Sequence, residues 1–198
     1  MTTASYRILR LQIQIGPMKP GKAPLREYRT TGLQQVDRLL VSSRGNHGEW
    51  SVGAQTETAI DVHHQDHPQS RNRKGGAGVS VLGTGDYERL RNTYGAHLVD
   101  GAAGESVLVD APDGIADLDF PAEFAISTPD GLINFERGRV ASPCVEFSRF
   151  CLGEPPSPQV SDAVRQALID LDDGHRGYRA AALGTGIIRP GDTLLLPL

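Results

Sequence analysis

Tyr6-Arg7-Ile8-Leu9-Arg10-Leu11-Gln12-Ile13-Gln14-Ile15 sets Leu9, Leu11, Ile13 and Ile15 against Arg10, Gln12 and Gln14. A period of two puts one set on each face of an extended chain, which predicts a half-buried β-strand over residues 6–15. Gly16-Pro17 ends it, and a turn-rich stretch with Pro20, Gly21 and Pro24 follows. Further short strands are expected at 79–81, 106–109, 123–127, 132–135, 139–145, 178–183 and 193–196. The turns Pro112-Asp113-Gly114, Pro129-Asp130-Gly131 and Arg189-Pro190-Gly191-Asp192 separate several of them. Residues 33–40 fit a short helix or a strand entry equally, and the polar, glycine-punctuated stretch 42–55 reads as a loop.

Two modest helices are expected. One spans 86–94, with Thr84 or Asp86 as cap, Tyr87, Leu90 and Tyr94 on one face, and Gly95 as its stop. The other opens at Ser157-Pro158, carries Val160, Val164, Leu168 and Leu171 as its apolar stripe and ends at Gly174. About eight short strands with two helices predict a mainly β chain, a β-barrel with a few short helices, as one domain over 1–198. A doubly wound sheet would alternate strands and helices far more regularly.

Composition agrees. The chain has 198 residues, 38% hydrophobic and 22% charged, enough for a substantial core. Gly and Pro together make about 18% of it, above the ~12% average yet below the low-complexity range, which fits many tight turns. The net charge is −4, with both signs mixed along the chain, so no basic excess marks a nucleic-acid partner. Neither a signal-peptide pattern nor a membrane-spanning apolar run is present, and a cytoplasmic protein is expected. The two cysteines, Cys144 and Cys151, do not make a disulfide scaffold. On a helix they would lie ~10 Å apart, too far to bridge, and in a tight turn they could meet; reduced thiols are the expectation.

Three places can carry chemistry. Cys144 follows Ser142-Pro143, and proline biases Ser142 toward an extended shape, so the thiol is presented from a stiff strand end. It reads either as a buried small hydrophobe or as a nucleophile and soft metal ligand; Cys151 reads as structural. The block 60–78 crowds Asp61, His63, His64, Asp66 and His67 ahead of Arg71, Arg73, Lys74 and Gly75-Gly76-Ala77-Gly78. Its histidines read as solvated loop residues or as part of a metal site. Adjacent His63 and His64 point opposite ways on a strand, so at most some of them converge. Its basic half suits a phosphate, through arginine forks and close backbone N–H groups, or is a solvated basic loop. Glu105, after the Gly101–Gly104 turn, either orients a ligand or satisfies turn amides.

Taken in order, several segments resemble the MOSC domain, named after the C-terminal domain of molybdenum cofactor sulfurases. They are Ile60-Asp61-Val62-His63-His64-Gln65-Asp66-His67, Val79-Ser80-Val81-Leu82 with Asp86 to Leu90, Gly104-Glu105-Ser106-Val107-Leu108-Val109, Pro143-Cys144, Gly177-Tyr178 and Gly186 to Asp192. The resemblance covers about 60–198, and strands within 5–55 fit the start of the same barrel. It implies a MOSC-type β-barrel that holds the molybdenum–pterin cofactor or passes sulfur to it. Cys144 falls on the family's Pro-Cys cysteine, which ligates molybdenum in members that reduce N-hydroxylated compounds; a persulfide carrier is the other role it implies. Arg71, Arg73, Lys74 and Arg149 would supply cations to the cofactor's phosphate, with Glu105 and Ser142 as further contacts. Two departures stand out: Ala141 replaces an arginine common three residues before the cysteine, and the family's Gly-Glu-Asn-Leu reads Gly104-Glu105-Ser106-Val107. Arg139 or Arg149 can substitute for the missing cation. With no flavin, haem or iron–sulfur motif, electrons would come from a separate donor protein, whereas sulfur transfer would need a cysteine desulfurase. A non-catalytic barrel that binds or delivers the cofactor is the third reading, with only a small molecule as partner.

Overall fold

The computed structural model describes residues 2–70, 72–73 and 78–197. Among these, twelve strands run β1 (Thr3–Gln14), β2 (Leu33–Val36), β3 (Arg38–Ser42), β4 (Gly45–Val52), β5 (Gln55–Ile60), β6 (Val79–Gly83), β7 (Val107–Val109), β8 (Phe124–Thr128), β9 (Gly131–Val140), β10 (Tyr178–Ala182), β11 (Gly186–Ile188) and β12 (Thr193–Pro197). Three short helices join them, α1 (Thr84–Tyr94), α2 (Val145–Leu152) and α3 (Asp162–Asp170). Seven strands close a barrel in the order β12-β8-β9-β10-β6-β7-β1, with β1 pairing back onto β12 from Thr3↔Pro197 to Arg7↔Thr193. A second sheet, β11-β3-β4-β5, lies beside it. The expected mainly β barrel with a few helices is the fold observed.

Two apolar cores share the barrel wall. Inside it pack Ile8, Leu11, Ile13, Val79, Val81, Val107, Val109, Phe124, Phe135 and Tyr178. Outside it, Leu82 and Leu108 meet Tyr87 and Leu90 of α1, Phe147 and Cys151 of α2, and Tyr28. Strand alternation produces this: in β6, Val79 and Val81 face in while Ser80 and Leu82 face out.

Several local readings are corrected. The alternation of 6–15 does not hold throughout, because the register shifts between Ile8 and Arg10. That bulge turns Ile8 into the core and leaves Leu9 42% exposed, while Ile15, also 42% exposed, lies past the end of β1. Residues 42–55 are not a loop but most of the hairpin β4–β5, and 33–40 are strands. The hairpin's outer face is polar, which hid its period, and Gly48 is glycine because a Cβ there would meet Val36 and Ile13 side chains at 2.6 and 2.7 Å.

The separate strands expected at 132–135 and 139–145 are one strand, β9, and Cys144 caps a helix, α2, that was not expected. The helix expected from Ser157 starts at Asp162. Ser157 Oγ instead accepts from Gln159 N in a local turn, and Ser161 Oγ caps Val164 N. In α1, Asp86 is buried and its carboxylate accepts from Gly83, Ile115 and Ala116 N–H.

Phe135, 1% exposed and stacked on Phe124 at 4.9 Å, carries the middle of the inner core. Phe135→Ala is expected to cost about 3–5 kcal/mol in urea unfolding.

Candidate functional site

A cavity of about 630 Å³ lies on the outer face of the barrel wall. The outward residues Gln12, Ser80, Ser106, Arg139 and Arg179 form part of its lining, and Met18, Lys19, Arg26 and Tyr28 of the segment after β1 form another part. Asp61 and His63, which follow β5, and Ala103 to Ser106 complete much of the rest. Ser80 and Ser106 tie the parallel strands together: Ser106 N donates to Ser80 Oγ at 3.0 Å and Ser80 N to Ser106 Oγ at 3.3 Å.

The dominant chemistry is cationic. Arg139 and Arg179 are direct cross-strand partners in the β9–β10 ladder. A bulge puts them there, since Arg137 (φ 59°) and Gly138 together stand opposite Ala180. By strict alternation from Phe135, Arg139 would face the barrel interior. The bulge reverses the phase, so Val140 packs on the core and Arg139 faces out. Arg176 joins them from the loop before β10. Its Nη1 donates to the Ser142 carbonyl at 3.0 Å, and its guanidinium carbon sits 4.7 Å from the Phe147 ring centroid. Among the described residues no carboxylate lies within 4.0 Å of Arg26, Arg139, Arg176 or Arg179. Burial, then crowding by Arg176 and Arg139, lowers the pKa of Arg179. Like charges directly opposite on a sheet repel, and an anion in the cavity would neutralise them.

Cys144, half-buried and free, is not itself among the cavity's lining residues and meets them through Lys19. Lys19 Nζ donates to its Sγ at 3.6 Å, and Lys19 itself lines the cavity and faces Glu146 at 4.0 Å. Cys151 is fully buried in the outer core and burial pushes its thiol up to about 12, so it is structural. Glu105 is 3% exposed and lines the cavity. Its Oε2 accepts from Tyr87 OH at 2.7 Å, and Oε1 has no partner among the described residues. Burial pushes its pKa up to about 7, against the Tyr87 hydrogen bond.

The other expected site residues fall elsewhere. Arg149 is buried in α2 and donates to the Gln159 carbonyl at 2.8 Å, holding the loop before α3 rather than lining the cavity. Ser142 is exposed and contributes its carbonyl to Arg176. Arg73 is exposed and not part of the lining; Arg71 and Lys74 lie outside the described residues. The histidines are not simply solvated. His64 is 3% exposed against His47, and burial, then His47, lowers its pKa. No group of three metal-ligating side chains converges among the described residues. Sequence reading missed Lys19, Arg26, Arg176 and Arg179 as site residues. The signal available was polar and charged residues on the outward positions of strands that are apolar inward, Ser80, Ser106 and Arg179.

Removing one of the facing arginines relieves repulsion. Arg139→Gln is expected to stabilise the ligand-free chain by about 0.5 kcal/mol at low salt and by less in molar salt, as read by urea unfolding. Glu105 has the opposite leverage. Its folded pKa of about 7 lies above the ordinary carboxylate range, so in that window the unfolded carboxyl ionises first and stability falls as pH rises. Unfolding at about pH 5 and pH 8 should show a loss of ~3 kcal/mol that Glu105→Gln abolishes.

No family model matches the chain, and no curated protein matches it in sequence. Solved structures do match its fold. The YuaD protein from Bacillus subtilis aligns with a TM-score of 0.54 at 13% identity, over 98% of this chain and 97% of that one. YiiM from Escherichia coli aligns with a TM-score of 0.53 at 14% identity, over 98% of this chain and 70% of that one. At these identities the likeness is one of fold.

Proposed function

We propose that the chain is a MOSC-type barrel whose outer-face cavity binds the molybdenum–pterin cofactor, with Cys144 as the metal's protein ligand, and that it reduces N-hydroxylated compounds in the cytoplasm. The observation that carries this reading is the row Arg139, Arg179 and Arg176, which lines the cavity without a carboxylate partner among the described residues. The fold-level likeness to YuaD and YiiM supports the MOSC resemblance of the sequence.

The residues present fit such a group. Its phosphate suits paired guanidiniums, which offer forked N–H donors and cannot be neutralised at physiological pH. An anion between them relieves their repulsion, so the wall favours an anionic group. A soft sulfur ligand suits molybdenum, and Lys19 touches Sγ. The orphaned Oε1 of Glu105 is a buried acceptor that suits an N–H donor of a heterocycle. Ala141, where the family often has arginine, lines the cavity beside Arg139 and Arg176, which supply the cation it lacks. When bound, the group supplies two-electron redox chemistry, with electrons drawn from a separate donor protein. The contact between Lys19 and the half-exposed Cys144 thiol equally suits a persulfide carrier fed by a cysteine desulfurase, the second reading.

Expressed in a host that makes the cofactor, the wild-type chain is expected to hold near-stoichiometric molybdenum by elemental mass spectrometry. Cys144→Ser should stay folded by circular dichroism and lose the metal, and Arg179→Glu should lower cofactor content at least tenfold. Full metal in Cys144→Ser would overturn the reading. No metal in either chain, with a sulfur adduct on Cys144 after incubation with a desulfurase, would favour the carrier.

A further inference from the structure

We propose that His63 is the proton-transfer group of this cavity and that buried Asp61 positions it; the reaction named below rests on the molybdenum-reductase reading. Asp61 is 4% exposed, and its carboxylate is saturated by three donors. Oδ2 accepts from Gln14 N at 2.7 Å, while Oδ1 accepts from His63 N at 2.7 Å and lies 2.8 Å from His63 Nδ1. A carboxylate carries no proton to offer, so Nδ1 is the ring's N–H and Nε2 is left to take or give a proton. His63 and Asp61 both line the cavity, and Nε2 has no protein partner among the described residues.

Its neighbours do not share this arrangement. His64 is buried against His47, and its Nδ1 accepts from Asp66 N; His67 Nδ1 accepts from Gln69 N. Of the three histidines in this block, His63 alone combines a buried carboxylate on one nitrogen with a place on the cavity wall. Among the described residues the other charged groups on that wall are Lys19, Arg26, the arginine row and Glu105.

Reduction of an N-hydroxylated compound breaks the N–O bond, takes up two electrons and two protons and releases water. The electrons come from the donor protein. Protonated His63 gives its Nε2 proton to the departing oxygen and becomes neutral imidazole with Nδ1–H still on Asp61; solvent supplies the other proton and reprotonates Nε2. Positioned acids of this kind contribute roughly 10²–10⁴-fold.

The test uses the full chain. Nitrogen-15 long-range correlation spectra should show neutral His63 as the Nδ1–H tautomer, shifting toward the Nε2–H tautomer that free imidazole favours in Asp61→Ala, which removes the Oδ1 acceptor. An Nε2–H tautomer in the wild type overturns the proposal, and this readout needs no bound metal, so it is independent of the cofactor reading. In the metal-loaded chain, His63→Gln should keep wild-type molybdenum while kcat falls about 100-fold with little change in KM. Unchanged kcat, or loss of metal from His63→Gln, overturns it.

Discussion

The parallel pairing of β6 with β7 is the constraint on which the rest depends. Parallel neighbours cannot be joined by a tight turn, so the chain must leave the sheet and return, and α1 with the 95–106 segment is that crossover. The pair is then buried on both faces. Inward, Val79, Val81, Val107 and Val109 join the barrel core; outward, Leu82 and Leu108 meet α1 and α2. Only Ser80 and Ser106 interrupt the outward apolar face, and each satisfies the other's backbone N–H. A polar notch in a wall that is otherwise dry on both sides is a rigid place to build a cavity. The crossover's return delivers Glu105 beside it, and Gly104 (φ +81°) gives the turn its room, because a Cβ there would press on Met18 Sδ at 3.1 Å.

Around that notch the fold accepts unfavourable electrostatics. Arg139 faces Arg179 across a ladder, Arg176 is held beside them by a carbonyl and an aromatic face, and Glu105 is buried with an oxygen unpaired. Each lowers the stability of the chain alone, and each is the preorganised half of an interaction with a ligand of the opposite character. Guanidiniums already fixed in place lose little freedom when an anion arrives. The carbonyl and ring that fix Arg176 therefore matter as much as its charge.

Where a short apolar run was bounded by turn residues the sequence was legible: β6, β7, β10 and β12 lie close to where those runs put them. The site was less so. Cys144 and Glu105 stood out by type and by setting, whereas Arg176 and Arg179 look like any surface arginine until the ladder brings Arg139 alongside. That juxtaposition depends on a bulge at Arg137, whose positive φ has no sequence signature, since the residue is neither glycine nor asparagine. Arg149 shows the converse. It sits near Cys144 in sequence, yet helical geometry turns it away to hold the 153–161 loop. The β4–β5 hairpin was hidden because its exposed strand carries few apolar residues to reveal a period.

The pairing of β1 with β12 has a consequence for how the chain reaches this state. Those strands are separated by nearly the whole sequence, so closing the ring brings together segments whose loop-closure entropy is among the largest the chain can incur. Proteins dominated by such distant contacts fold slowly. During synthesis β1 must wait, with its hydrogen-bonding edge toward β12 unpaired, until β12 is made. Thr3, Ser5 and Arg7, the exposed positions of the segment that pairs with β12, are polar or charged, which discourages another chain from taking β12's place in the interval.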